Sequence, residues 1–242
     1  MIIIPARVAS SRLPNKVLAD IGGLPMVIRT AKAVEAVDNV AIATDSQEVL
    51  NIAKEHGIEA VLTSSSCKSG TDRIYEASQK LNLADDEIVI NVQADEPFIE
   101  ESVVKSMLDL TTKYASNSEV VATTCYKIVS KHEAKDPNLV KVVTNLDNIA
   151  LYFSRSPIPY DRDDNLNEYK AHLGLYGFTV SKLEMFCTMQ AGVLEDIEKL
   201  EQLRVLDNGY KIALTEVKSK SFGVDTQEDL NRAKKLHTKG DI

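Results

Sequence analysis

Arg7, Arg12 and Lys16 place three cations within ten residues of the loop Pro5-Ala6-Arg7-Val8-Ala9-Ser10-Ser11-Arg12-Leu13-Pro14-Asn15-Lys16, directly after an apolar run. The loop holds no glycine, so it is neither a Walker A loop nor a GxGxxG dinucleotide turn. A phosphate bound here would rest on guanidinium forks and a lysine point charge. An isolated loop of this kind is more plainly a solvated surface. Its position after a buried strand, in an acidic chain, favours an anion site.

A second constellation is Asn91-Val92-Gln93-Ala94-Asp95-Glu96-Pro97, where acidic residues end the most apolar strand-like run. Hard oxygen ligands at a strand end suit Mg²⁺, which keeps several waters and binds one or two carboxylates plus substrate phosphates. The plainer reading is that Asp95 or Glu96 caps the next helix. A third segment, Gly223-Val224-Asp225-Thr226, offers a second carboxylate, Asp225, although alone it reads as a strand-to-helix turn.

The elements that must position these groups follow from periodicity. Met1–Pro5 reads as a buried strand, Pro25–Val37 as a helix, Val40–Thr44 as a strand, and Ser46–His56 as a helix capped by Ser46 and stopped by Gly57. Ile58–Leu62 is a strand, Gly70–Leu81 a helix, and Glu87–Val92 a strand apolar on both faces. This β-α-β-α-β-α-β order predicts a doubly wound, mostly parallel α/β sheet, with ligands bound beyond the carboxyl ends of its strands. Further on, Glu119–Ile128, Val140–Val143, Ile149–Ser154 and Leu173–Val180 read as strands, the last two separated by the polar stretch Asp161–Lys170. Leu194–Leu206 reads as a helix, Lys211–Val217 as a strand, and Thr226–Leu236 as a closing helix with Thr226 or Asp225 near its cap. With no repeat and no Pro/Gly/Ser-rich linker, the expectation is one α/β domain over 1–242 with a smaller strand-rich insert at about 145–182.

Composition narrows the function classes. The 242 residues are 44% hydrophobic and 26% charged, which is globular rather than disordered or low-complexity. A net charge of −8 opposes binding to a nucleic acid or an anionic membrane, so an anionic substrate needs a local cluster of cations. Cys67, Cys125 and Cys187 form no CxxC pair, and an odd count argues for a reducing, cytoplasmic setting. Neither a signal peptide nor a membrane span is expected.

Eight ordered segments carry a family resemblance: IIIPAR-x-x-SSRLP-x-K, SGTDR, NVQADEPFI, NLVKVV, ALYFSR-x-x-IP, HLGLYGF, LEQLRVL-x-x-GYKI and GVDTQEDL. In order and spacing the chain resembles, over essentially its whole length, the CTP:3-deoxy-D-manno-octulosonate cytidylyltransferases, or CMP-Kdo synthetases. The first loop is shared with the wider sugar-nucleotide transferases, whereas ALYFSR, HLGLYGF and LEQLR point to the Kdo branch. The resemblance implies a nucleotide-diphospho-sugar transferase fold and the reaction CTP + Kdo → CMP-Kdo + diphosphate, which feeds lipopolysaccharide synthesis. The sugar's anomeric hydroxyl attacks the α-phosphorus, and no covalent enzyme intermediate forms.

By the same resemblance Arg7 and Lys16 hold the triphosphate, Arg12 lies near the reacting groups, and Asp95 and Asp225 hold Mg²⁺. Ser69, Gly70, Thr71 and Arg73 approach the cytosine. Gln93, Arg155, His172, Tyr176, Glu201 and Gln202 meet the acid sugar, where a guanidinium such as Arg155 suits a carboxylate. For His172 the competing reading is a satisfied structural histidine, and for Glu201 and Gln202 a plain charged helix face. No residue identifies itself as a general base. The resemblance also implies a homodimer through the strand-rich insert, with Ile149–Ser154 and Leu173–Val180 as interface strands.

Two departures bear on this assignment. Ala94 stands where the family usually has Gly; a positive φ there would cost about 1–2 kcal/mol, so ordinary backbone is expected. The Asp161–Lys170 connection is shorter than in many members. Alternatives are activation of 8-amino-Kdo or a sialic-acid-like nonulosonate, which Glu96 in the Kdo-type DEP argues against, or a non-catalytic nucleotide-binding module. The latter would have lost Arg7, Lys16, Asp95 or Asp225, and all four are present.

Overall fold

The computed structural model describes residues 1–8 and 13–239. The chain divides into two compact units, one of residues 1–105 and 219–242, the other of residues 106–218.

In the first unit the parallel strands are β1 (Ile2–Ala6), β4 (Val40–Thr44), β5 (Glu59–Leu62) and β6 (Ile88–Asn91), with the small hairpin β2 (Asp20–Ile21) and β3 (Leu24–Pro25) before β4. The order is β6-β1-β4-β5, with β1 parallel to both β4 and β6, and β4 parallel to β5. Every residue of β1 and β4 is buried, which is why IIIPA and VAIAT show no polar alternation. The chain moves from β1 outward to β5, then returns to the other side of β1 as β6. The loops after β1 and β6 therefore flank the point where strand order reverses, where open α/β sheets bind their ligands.

The helices α1 (Met26–Val34), α2 (Gln47–Glu55) and α3 (Gly70–Lys80) follow their strands as the periodicity predicts. Ser46 accepts from Val49 N to cap α2, and Gly57 takes φ 72° just past its end. Ser69 and Asp72 form a reciprocal capping box on α3. Gly70 lets the start of α3 approach β1, since a Cβ there would lie 3.3 Å from Pro5 Cγ. The closing helix spans Gln227–Lys239. Thr226 and Asp229 exchange hydrogen bonds at its start, so Thr226 is the cap and the Asp225 carboxylate is released from that duty.

A helix absent from the sequence reading, α4 (Glu101–Tyr114), crosses the division at Lys105. The second unit then holds β7 (Val120–Ser130), β8 (Lys141–Thr144), β9 (Ala150–Ser154), β10 (Glu168–Thr179) and β11 (Lys211–Glu216). β7 pairs parallel with β11 and antiparallel with β10; β8 is antiparallel to β10 and β9. β10 begins at Glu168, inside the stretch read as polar connection, because Glu168–Lys170 pair with Ser130–Ile128 of β7. It ends at Thr179, which caps a further unread helix, α5 (Val180–Thr188). The helix expected over Leu194–Leu206 is two short ones, α6 (Val193–Glu198) and α7 (Leu203–Asp207), interrupted where Lys199 adopts φ 54°. Lys141 is fully enclosed, and its ammonium donates to the carbonyls of Asp136, Leu139 and Arg155 at 2.9, 2.6 and 2.5 Å.

Candidate active site

At the reversal point of the parallel sheet lies a cavity of about 410 Å³ lined by Pro5, Arg7, Lys16, Val17, Cys67, Lys68, Ser69, Gly70, Arg73, Gln93, Ala94, Asp95 and Asp225. The cationic loop, the DEP strand end and the closing turn thus meet in one place. Lys16 sits between the two carboxylates, with Nζ 2.5 Å from Asp95 Oδ2 and 2.8 Å from Asp225 Oδ1. Burial pulls its ammonium towards deprotonation, but Asp95 and Asp225 outweigh that and hold its pKa above the ordinary lysine value. Lys16 is therefore a fixed positive charge at neutral pH.

The closing turn is brought here by backbone and side chain together. Val224 N donates to Asp95 O at 2.9 Å, Ser221 Oγ donates to Glu96, and Ser219 Oγ and Lys220 N donate to Glu100 at 2.7 Å each. Glu96 and Glu100 thus tether the segment carrying Asp225. Ala94 is not among the residues of positive φ, as the alanine requires, and its carbonyl accepts from Thr30 Oγ1 at 3.0 Å. Among the described residues no group of three His, Cys, Asp or Glu gathers as a closed metal site. Asp95 and Asp225, converging on one cation, are instead a two-carboxylate seat of the kind that suits a metal completing its shell from water and phosphate.

Arg73 is buried and lines the cavity, with both terminal nitrogens of its fork engaged, one donating to Thr63 Oγ1 at 2.6 Å and the other to Asp45 Oδ2 at 2.9 Å. Thr71 is buried within α3 and does not line the cavity. Lys68, exposed at the rim, is a cation the sequence reading passed over, although it directly precedes SGTDR. Cys67 also lines the cavity, but burial, and then Glu76, push its thiol up to about 11, which removes it as a nucleophile at neutral pH. Arg12 lies outside the described residues.

The residues expected at the sugar, apart from Gln93, lie in the second unit. His172 and Tyr176 are buried neighbours on β10, with ring centroids 5.4 Å apart, and Phe153 meets His172 edge-on at 5.1 Å. Burial pushes His172 down to about 3, so it is neutral at pH 7. Burial, and then Glu201, raise the Tyr176 phenol well above its ordinary value. Gln202 is buried, and among the described residues its Nε2 finds no hydrogen-bond partner, which marks it as a group a ligand could satisfy. The Arg155 guanidinium is given to the carbonyls of Pro137, Glu198 and Lys199 at 3.0, 2.7 and 3.3 Å, while Glu198 also accepts from Arg155 N.

A family model described as cytidylyltransferase matches residues 1–212. A 3-deoxy-manno-octulosonate cytidylyltransferase of Nitratiruptor sp. is 53% identical over 232 residues, 96% of this chain and 97% of that protein. The protein of the same description from Wolinella succinogenes is 50% identical over 240 residues, 98% of each chain. A solved structure described as CMP:2-keto-3-deoxy-manno-octonic acid synthetase complexed with CTP superposes with a TM-score of 0.90 at 37% identity, covering 99% of this chain and 98% of that one.

Proposed function

The chain belongs to the 3-deoxy-manno-octulosonate cytidylyltransferase family, and from that membership we propose how it works, with the cavity of the parallel unit as its nucleotide site. The reaction is CTP + Kdo → CMP-Kdo + diphosphate. The observation that carries the site assignment is Lys16 held between Asp95 and Asp225, in a cavity that Arg7, Lys68 and Arg73 also line.

Nucleotidyl transfer of this kind asks mainly for positioning and charge neutralisation. Arg7 and Lys16 meet the triphosphate, and Arg12 belongs to the same loop. Ser69, Gly70 and Arg73 border the cytosine, with Thr71 supporting them from inside α3. Asp95 and Asp225 are the residues that would hold Mg²⁺, whose chemistry here is charge neutralisation at the phosphate oxygens. Lys16 then has two seats, the carboxylates and the triphosphate. Gln93, His172, Tyr176, Glu201 and Gln202 serve the acid sugar, and the lack of a partner for Gln202 Nε2 among the described residues supports that role. Arg155, its fork given to three carbonyls, contributes by holding the corner after β9. The enzyme works in the cytoplasm, supplying lipopolysaccharide synthesis, as a homodimer; Leu151 on β9, 60% exposed, supports an interface there. No described helix is long and apolar enough to cross a membrane.

Diphosphate release assayed with each nucleoside triphosphate against a panel of acidic sugars tests the reading. CTP with Kdo and Mg²⁺ should give the fastest turnover. A nonulosonate or 8-amino-Kdo used much better than Kdo would overturn the substrate assignment.

A further inference from the structure

β10 carries an irregularity beside His172. Leu173 pairs with Cys125, yet the next residue of β7, Thr124, pairs with Tyr176, so Gly174 and Leu175 are extra residues on β10. Such a bulge withdraws carbonyls from the regular ladder, and buried carbonyls need donors. Thr124, itself fully buried, faces three polar atoms with its single hydroxyl: Leu175 O at 2.6 Å, Leu173 O at 3.3 Å and His172 Nε2 at 2.8 Å.

A hydroxyl has one proton to give and lone pairs to receive. Two of its three neighbours are carbonyl oxygens, which can only accept, and the shorter contact is to Leu175 O. Sending the proton to His172 instead would leave the Leu175 carbonyl 2.6 Å from a hydroxyl lone pair. The bulge therefore takes the Thr124 proton, and Thr124 Oγ1 is left to accept from His172. That requires the hydrogen to sit on Nε2, and in a neutral imidazole the other nitrogen, Nδ1, then carries a lone pair.

We propose that Thr124 is a positioning residue that locks His172 in the Nε2–H tautomer, so that the imidazole presents Nδ1 solely as a hydrogen-bond acceptor, suited to a sugar hydroxyl and unsuited to a carboxylate. The proposal rests on the reading of His172 as a sugar contact and adds the polarity of that contact. It divides the work: hydroxyl recognition falls to His172, and the sugar carboxylate must be met elsewhere. Burial of the ring among Phe153 and Tyr176 keeps it neutral, so the lock holds across the working pH range.

The tautomer is directly readable from the ¹⁵N shifts of the imidazole nitrogens in histidine-labelled full-length protein, with the His172 signal assigned by its loss in His172→Gln. Wild type should show a protonated Nε2 and a bare Nδ1, and a protonated Nδ1 would overturn the proposal without any variant being needed. Thr124→Val removes the hydroxyl at nearly constant shape and should shift the ring to mixed tautomers. Its KM for Kdo should rise about fivefold to tenfold, the scale of one hydrogen bond, while the KM for CTP stays put. Thr124→Ser should restore both. An unaltered tautomer in Thr124→Val refutes the lock. A lost lock with an unmoved KM for Kdo refutes instead the sugar contact of His172, and the positioning role with it.

Discussion

In the parallel unit Lys16, Asp95 and Asp225 are charged, lie beyond strand ends and hold one another; in the antiparallel unit His172 and Tyr176 are neutral and lie along β10, where His172 is held by the Thr124 hydroxyl and by the rings of Phe153 and Tyr176. The difference follows from where each set sits. Side chains in loops beyond strand ends keep access to water and can stay ionised, and the side chains of Asp95 and Asp225 remain 25% and 40% exposed. Side chains within β10 are enclosed by neighbouring strands, where an isolated charge would be costly, so a polar contact made there rests on hydrogen-bond polarity. The first arrangement separates activity from stability, because partly exposed ion pairs contribute about 0–1 kcal/mol to folding. The second couples them.

The largest expected effect tests the charged arrangement. Asp95→Asn and Asp225→Asn should each lower the rate of diphosphate release by about 10²–10³, the usual loss on removing one preorganised charge-stabilising group. Thermal stability should move little. The double variant should lose far less than the product of the two, since both carboxylates serve one seat. Magnesium titration of the single variants checks this: a wild-type rate and metal dependence in Asp225→Asn would reduce that residue to a tether for Lys16 and dissolve the contrast.

A smaller effect tests the neutral arrangement. His172 is held down to about 3 in the fold against an ordinary 6.5, so the unfolded chain binds its proton first as the pH falls. Stability from the neutral ring is fully present above pH 6.5 and drains away as the pH drops towards 3. By pH 5 the loss is about 2 kcal/mol. Denaturant unfolding of wild type and His172→Gln at pH 7 and pH 5 should show wild type losing that much more than the variant. Parallel losses would mean that the ring is charged in the fold, and the comparison between the units would fail.

Legibility in the sequence follows the same division. Strands of the parallel unit announce themselves as unbroken apolar runs, so Val40–Thr44 is located to the residue and β1, β5 and β6 to within one at each end. The meeting of Arg7, Lys16, Asp95 and Asp225 is legible too, because parallel strands send their following loops to one side. The antiparallel unit hides more. Glu168 and Lys170 are charged yet paired, since a ladder needs backbone groups only, so the sequence pattern there looks like connection where β10 already begins. α5 follows β10 directly, Thr179 both ending the strand and capping the helix, so no turn residue marks the change of period. Lys199 at φ 54° breaks a helix that periodicity alone extends across it. α4 did leave a signal, Val103, Val104, Met107 and Thr111 at helical spacing, all buried. The Thr124 contact left none, because a bulge displaces partners by an amount that no spacing rule anticipates.

The smallest effect sharpens the contrast within the parallel unit, where capping and substrate contact can be told apart by two serines. Ser46 and Ser69 both cap helices that follow sheet strands, Ser46 through Val49 N at 3.4 Å and Ser69 through a reciprocal box with Asp72 at 3.1 Å each way. Replacing either by Ala removes an acceptor for an otherwise orphaned helix N–H and should cost about 1 kcal/mol, with the better-formed box at Ser69 costing more. In a chain of this length that lowers Tm by about 2–4 °C. Only Ser69 lines the cavity, so only Ser69→Ala should also raise the KM for CTP, and Ser46→Ala serves as the matched loss of stability. Equal Tm losses with a KM change confined to Ser69→Ala would show that the parallel unit reads its nucleotide at the start of α3. A KM raised equally in both variants would trace the effect to helix fraying instead, and activity in this unit would then depend on stability much as it does in the other.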